Sequence, residues 1–328
     1  MSVLPASVYQ RTQLGVEVTR GTVVAANRRL RSLSFGGDPT VESTEIMIEG
    51  SKLPGGSYVN REWTTAPITG ALTYTEIIYA LASLFGKATP ELVATSTAAY
   101  DWVFAPSAAD DDDPQTFTLE RGSSIAAIRA AYLLVTGLTM NFARGETGLT
   151  GEAIAQLFDT SATMTASPTT RPVVPILPAQ YDVYMDPDYA DIGTTQLTRA
   201  AAASMVYTGK YGPYWAMDSS EGSWAEHVDL RPTQNLTLQL PANSAGDLFT
   251  EMRAGAPQYI RIAASGPANS IETGFGYEFE LDFCGTILNP SANEDRDGAQ
   301  VRTWTFVGIE DADLNPLSIR VRNGIATL

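Results

Sequence analysis

The sequence predicts a mainly β chain, organised as two tandem β-sandwich or barrel units that are each flanked by one short α-helix. Three observations predict it. A strand–helix–Gly/Pro module occurs twice, about half the chain apart. Short alternating segments bounded by turn residues follow each copy. A proline-dense connector lies near the midpoint.

The first module runs from Ile68 through Thr73, Glu76 and Phe85 to Gly86, with Pro90 beyond it. The second runs from Leu236 through Ser244, Asp247 and Met252 to Gly255, with Pro257 beyond it. In each, a hydroxyl residue stands three positions before an acid. Thr73 with Glu76, and Ser244 with Asp247, can therefore satisfy the free N–H groups of a helix start. One apolar stripe follows in each copy: Tyr74, Ile77, Ile78, Leu81 and Phe85, against Ala245, Leu248, Phe249 and Met252. A Gly then stops each helix. Two such units suggest a component of a ring or array; the competing reading is chance recurrence of a common pattern.

Residues 1–22 are polar and Gly-punctuated and read as an extended arm. Leu30, Leu33 and Phe35 mark a strand with a basic start, and 44–50 another. Residues 52–63, with Pro54, Gly55 and Gly56, form a long loop or hairpin tip. Beyond the first module come an aromatic strand at 100–104, an acidic loop at Asp110 to Asp113, and a cleanly alternating strand at 116–120. Segments 132–143 and 153–165 read as strands. Residues 167–178 hold four prolines in twelve positions, a stiff extended linker between a first domain at 1–166 and a second at 179–328. The second half repeats the order loosely. A strand pair at 183–185 and 205–207 precedes a Tyr/Trp/Gly-rich loop at 211–224 and the second module. Strands at 259–262 and 277–283 follow, then closing strands at 303–309 and 317–322.

Of the 328 residues 44% are apolar and only 18% charged, which supports real cores and excludes disorder. Asp plus Glu number 37 against 21 Lys plus Arg, a net charge of −16. Such a surface repels phosphate backbones and anionic lipid, so tight DNA binding is excluded, although it suits a surface that DNA passes without adhering. Cys284 is the single cysteine, and its strand-like surroundings mark a buried structural thiol. The start carries no signal-peptide pattern. The most apolar window, 125–142, is interrupted by Arg129 and polar residues, so no membrane span and a cytoplasmic residence are expected.

No catalytic signature emerges, and no enzyme activity, catalytic residue, cofactor or metal is expected. His227 is the single histidine; no nucleophile elbow supports it, and a surface loop is its expected place. Asn293-Glu-Asp295-Arg-Asp297-Gly298 spaces oxygen ligands like a calcium loop, but the later acid falls on Trp304. Asp110–Asp113 reads as a solvated charge run, and Asp186, Asp188 and Asp191 are open to either reading. Tyr211, Tyr214, Trp215 and Trp224 read as exposed, lining a sugar groove or an interface patch. Asn235-Leu-Thr237 fits a glycosylation sequon that has no secretory context.

The opening Gln13-Leu-Gly-Val-Glu17, Arg20-Gly-Thr22, Ala25-Ala26 and Arg28-Arg29-Leu30 combines with Gly70-Ala-Leu-Thr-Tyr-Thr-Glu-Ile-Ile-Tyr-Ala-Leu81, Leu84-Phe85-Gly86 and Phe117-Thr-Leu-Glu120. With the proline connector and Val321-Arg-Asn323-Gly324, this pattern resembles the major tail tube proteins of siphophages, the long non-contractile-tailed bacteriophages. The resemblance implies a structural virion protein, a helix-flanked β-sandwich packed side by side into rings. The rings stack into a hollow tail tube through which DNA is ejected into the bacterial host. Six tube domains form a ring in that family, so two per chain imply a trimer and one per chain a hexamer; length and repeat favour the trimer. The partners so implied are further copies of the chain and other tail proteins (tape measure, tail terminator, distal tail). Viral DNA passes through the lumen without specific binding, no membrane is involved, and assembly is in the host cytoplasm. The alternative reading is a carbohydrate-binding or calcium-stabilised β-sandwich adhesin module.

Overall fold

The computed structural model describes residues 6–145, 147–218, 222–243, 247–311 and 317–328. The protein is mainly β, with two α-helices among the described residues. The first half carries β1 (Arg11–Val16), β2 (Arg28–Leu30), β3 (Leu33–Phe35), β4 (Asp38–Met47), β5 (Pro54–Thr65) and β6 (Ile68–Gly70). It continues with α1 (Ile77–Phe85), β7 (Glu91–Leu92), β8 (Tyr100–Phe104), β9 (Phe117–Gly122), β10 (Ala127–Ala143), β11 (Gly148–Ala155) and β12 (Phe158–Asp159). After β13 (Thr169–Thr170), the second half carries β14 (Tyr181–Asp186), β15 (Ala202–Thr208), β16 (Tyr211–Tyr214), β17 (Glu226–Asp229), β18 (Thr233–Pro241) and α2 (Phe249–Ala254). It ends with β19 (Gln258–Ser265), β20 (Glu278–Pro290), β21 (Glu294–Arg296), β22 (Ala299–Gly308) and β23 (Leu317–Asn323).

All strands but the β16–β17 hairpin join one barrel-like hydrogen-bonded network. Traced ladder by ladder, one run through it is an eight-stranded antiparallel sheet, β3–β6–β11–β10–β15–β18–β22–β20. Other strands branch from this run without joining β3 to β20. The first half of β10 carries β9, β1 and β2 on one side and β12 on the other. The first half of β20 carries β19 and β14 on one side and β23 and β8 on the other.

The same neighbour relations therefore occur in both halves. Ladders β3–β6, β6–β11, β11–β10, β10–β9 and β9–β1 are matched by β15–β18, β18–β22, β22–β20, β20–β19 and β19–β14. Each long strand also bulges within the hairpin that follows, between Val135 and Gly137 on β10 and between Ile287 and Asn289 on β20. Such an extra residue lets one strand bend from one layer into the next. The interior is nevertheless one apolar cluster that runs through both halves, from Leu14 and Leu81 to Trp304 and Val321.

Both expected helices form, with different surroundings. The Glu76 N–H donates to Thr73 Oγ1 at 3.2 Å, one arm of the expected capping pair. The Glu76 carboxylate turns instead to the β2–β3 turn. All nine residues of α1 are buried, because sheets enclose the helix and leave it no solvent face; the expected single stripe is corrected to an apolar surface all round. α2 keeps a stripe: Phe249 lies edge-on to Trp304, with ring centroids 5.1 Å apart, and Gly255 ends it in the left-handed region at φ 62°. Ser244, the other arm of the second capping pair, lies outside the described residues.

Other expectations need correction. Residues 11–16 are not a free arm: β1 is flanked by β2 and β9, and Leu14 is fully buried. The expected strand at 153–165 ends early, as β11 and the short β12. Strands 183–185 and 205–207 exist but do not pair with each other; β14 joins β19, and β15 joins β10 and β18. The 52–63 segment is the second strand of a long hairpin, since β4–β5 continues the register of β3–β6 from Leu33↔Gly70 through Asp38↔Thr65 to Met47↔Pro54. The proline connector is laced to the first half through Thr169↔Arg28, the bond from Ile176 N to Leu72 O, and the buried Ile176 side chain.

Candidate functional site

The long sheet ends in open strands, and the two halves differ there. The second half of β10 is paired on both sides. β11 lies on one, and β15 on the other through six pairs from Leu138↔Tyr207 to Ala143↔Ala202. The matching stretch of β20, with β21 continuing it, has β22 on one side. Beyond Gly285, where β19 stops, no ladder occupies the other side among the described residues.

At the far end, among the described residues, β3 and β4 pair only with β6 and β5. Two side chains cap the outer side of β3. The Glu76 carboxylate accepts the N–H groups of Arg31, Ser32 and Leu33 at 2.7–3.1 Å, and Arg121 donates to the Phe35 carbonyl at 2.8 Å. From Gly37 outward no described residue pairs with or caps the edge. A groove of about 600 Å³ lies beside it, lined by Gly37, Asp38, Arg121 and Ile128 among others. Open edges of this length are templates for pairing with another chain.

The β4–β5 hairpin adds a second exposed feature. Ile46, Met47, Ile48, Leu53, Tyr58 and Val59 are each at least half exposed. Clustered apolar side chains on a projecting arm mark a contact surface rather than a solvated tip.

The residues singled out from sequence prove to be structural supports. His227 is not on the surface: it sits on β17 with its imidazole 7% exposed, edge-on to Tyr211, and Nδ1 is 3.0 Å from the Tyr132 hydroxyl. Burial, then the nearby Arg20 cation, push its pKa down. Burial works against Glu226, but the Tyr132 hydroxyl and the His227 N–H hold its carboxyl below the usual range. Tyr211 and Trp224 are core residues, which corrects their expected exposure, whereas Tyr214 is exposed. Trp215 packs edge-on to Trp63 at 5.8 Å beneath Arg61.

The acidic segments divide. Asp112 is buried against Lys210, which also faces Asp229 at 3.5 Å, and Asp113 pairs with Arg20 at 2.6 Å. Asp112 is thus an anchor, while Asp110, Asp111 and Asp113 are exposed, as expected of a solvated loop. Asp186 is fully buried and accepts bonds from Gly193, Thr194 and Thr195 at 2.9–3.2 Å, organising the turn after β14. These donors hold its carboxyl low against the upward push of burial. Asp297 and Gly298 form the two-residue turn between β21 and β22, with φ 55° and 80°. The calcium-loop spacing is therefore hairpin-turn chemistry. Among the described residues no group of three or more His, Cys, Asp and Glu is placed to hold a metal ion.

Cys284 is buried, and burial pushes its thiol up to about 11. Sequence reasoning missed the edge caps Glu76 and Arg121. An acid entering an otherwise apolar helix was the available signal for the first.

Comparison with known protein families finds no matching family, and comparison with curated proteins finds no match.

Proposed function

We propose that this chain is a structural subunit that closes head to tail with copies of itself into rings, which stack into a hollow tube for viral DNA, as in siphophage tails. One observation carries the reading. β10 takes β15 as its second neighbour, while among the described residues the matching edge of β20–β21 is open, and so is the β3–β4 strand, whose ladders match those of β15, from Gly37 onward. The base of β4, residues 38–42, of one copy laid along β20–β21 of the next repeats the β10–β15 junction already made within the chain. Such a contact joins two different surfaces, so it either closes into a ring or continues as a filament. In this reading the two halves are equivalent tube domains, and the fused apolar interior is the contact between them.

Strand geometry bears on the number of copies. Neighbouring strands lie about 4.8 Å apart, and barrel strands tilt by about 40°. Eight strands from each of three copies then close a backbone circle roughly 50 Å across, which leaves room for a double helix once side chains are added. Six copies make it about twice as wide. We therefore favour three chains per ring, with the β4–β5 arm reaching the next ring.

Electron microscopy of purified protein, alone and seeded with tail-tip partners, is the test. Uniform rings or tubes of three chains and six similar lobes are expected. A protein that stays monomeric at every concentration and under seeding refutes the proposal, and rings of six chains refute the count.

A further inference from the structure

The long sheet has two faces of opposite character. Its inner face packs Leu138, Met140, Met205, Leu236, Leu238 and Phe306 into the core. Its outer face is set by the cross-strand register. One row runs Asn141, Ser204, Thr237, Thr305, and a second runs Thr69, Thr150, Thr139 before continuing through Val206 to Asn235. Ser204 Oγ donates to Asn141 Oδ1 at 2.7 Å, so neighbouring strands are cross-linked by side chains on this face. The row residues are half-buried or exposed, as on a sheet face that no described segment covers fully. Among the described residues Glu152 is the one charged neighbour along the middle of both rows, and other charges stand at the two margins, where Arg121 donates to Ser34 Oγ at 2.7 Å beside Thr69 and where Gln239 accepts from Arg296 and donates to Glu294. Ionic groups gather instead at one end of it, where Arg144, Asp295, Arg296 and Asp297 line a shared cleft.

That emptiness is specific to this face. The solvent side of the β19–β20–β23–β8 sheet carries a dense ladder, Arg261 with Asp282 at 2.6 Å, Arg320 with Glu278 at 2.9 Å, and Arg322 with Asp101 at 2.8 Å. Among the described residues, a chain with a net charge of −16 thus places a single acid, Glu152, in the middle of this face.

We infer that this hydroxyl- and amide-lined face is the wall past which double-stranded DNA moves, and that it works by offering phosphate neither a cation to grip nor a carboxylate field to cross. The inference rests on the ring reading above. Lysine or arginine on such a wall would release counterions from DNA and bind it, with affinity falling steeply with salt. Carboxylates would raise a barrier to entry at low salt. Threonine, serine and asparagine hold water by hydrogen bonds and carry no net charge, so the nucleic acid meets a hydrated surface of nearly constant potential along the tube. The acidic excess expected from composition to keep DNA off the wall therefore acts elsewhere on the subunit.

The test compares tubes of the unaltered protein with tubes of the triple variant Thr139→Lys/Thr237→Lys/Thr305→Lys and of a control, Glu91→Lys, on the exposed strand β7. Each is incubated with short linear duplex DNA, treated with nuclease, and sedimented. Unaltered and control tubes should retain no protected DNA. The triple variant should retain at least about tenfold more, lost between about 50 and 200 mM salt. Thr69→Lys/Thr150→Lys, at two more exposed positions on the face, should do the same if the triple variant assembles poorly. Tubes of either variant that hold DNA only in nuclease-sensitive form, or hold none at low salt, overturn the inference and leave the ring proposal standing. Protected DNA in unaltered tubes also overturns it. If no preparation forms rings, both readings fall together.

Discussion

Removing the Glu76 carboxylate is the sharpest perturbation the fold suggests, because one side chain closes the outer side of β3 from within. It is 1% exposed and accepts the N–H groups of Arg31, Ser32 and Leu33, together with the Ser32 hydroxyl. Glu76→Ala leaves three backbone donors without acceptors, that of Leu33 buried and those of Arg31 and Ser32 part-buried, worth up to about 1–3 kcal/mol each. The Ser32 hydroxyl keeps a partner in Thr73 Oγ1 at 3.1 Å. The expected loss is therefore toward the lower half of the sum, about 3–5 kcal/mol. Glu76→Gln keeps one acceptor oxygen but turns an NH₂ toward the same donors, for a loss of about 1.5–3 kcal/mol. With m of about 3 kcal/mol/M in urea, the Ala variant should unfold roughly 1–1.7 M earlier. The assay is urea unfolding followed by tryptophan fluorescence in dilute monomer. An Ala variant within about 1 kcal/mol of the parent refutes the claim that this carboxylate caps the strand.

Four further outcomes are expected. Leu81→Asp buries a charge inside the enclosed α1 and should abolish folding, whereas Leu248→Asp at the partly open start of α2 should lose only about 2–3 kcal/mol; equal melting temperatures would contradict the difference between the helices. For His227, the folded pKa lies below the unfolded value of about 6.5, so the unfolded chain binds more protons in that window and stability falls as pH drops below it. Glu226, Asp229 and Arg20 face the same ring. Thermal melts of His227→Gln should accordingly be flatter than the parent's between about pH 6.5 and 5, and parallel curves would refute the assignment. Replacing residues 43–60 by Asn-Gly should leave a folded, ring-forming subunit that stacks into short tubes; tubes of normal length on micrographs would remove the arm from stacking. Deleting residues 2–22 removes β1 with its buried Leu14 and Glu17, and circular dichroism should report loss of the native fold, where the sequence alone suggested a folded protomer with a missing arm.

Legibility followed the range of the interaction. Alternation at 116–120 and 277–283, the Gly255 stop and the aromatic strands were readable because period and turn chemistry are local. The order of strands in the second half was readable for the same reason. β1 was not, since Gln13 and Gly15 interrupt its apolar pattern and its partners lie on β2 and β9. Trp224 and Tyr211 looked like surface aromatics because their neighbours are polar and glycine-rich, yet Trp224 packs 4.4 Å from Tyr132, far away in sequence. His227 was misplaced for the same cause, and no acid in the 110–113 run announces Lys210 as its partner.

By itself the amino-acid order determined a strand-rich chain, two helices, their stops and the excess of acids, all of which depend on residues within a turn or two of one another. Which strands are shared, which edges stay open and where the charges do not go were decided only in the folded chain. A strand's neighbours, and the face each side chain turns to, are set by register with segments up to hundreds of residues away, and a shift of one position there reverses every side chain on the sheet.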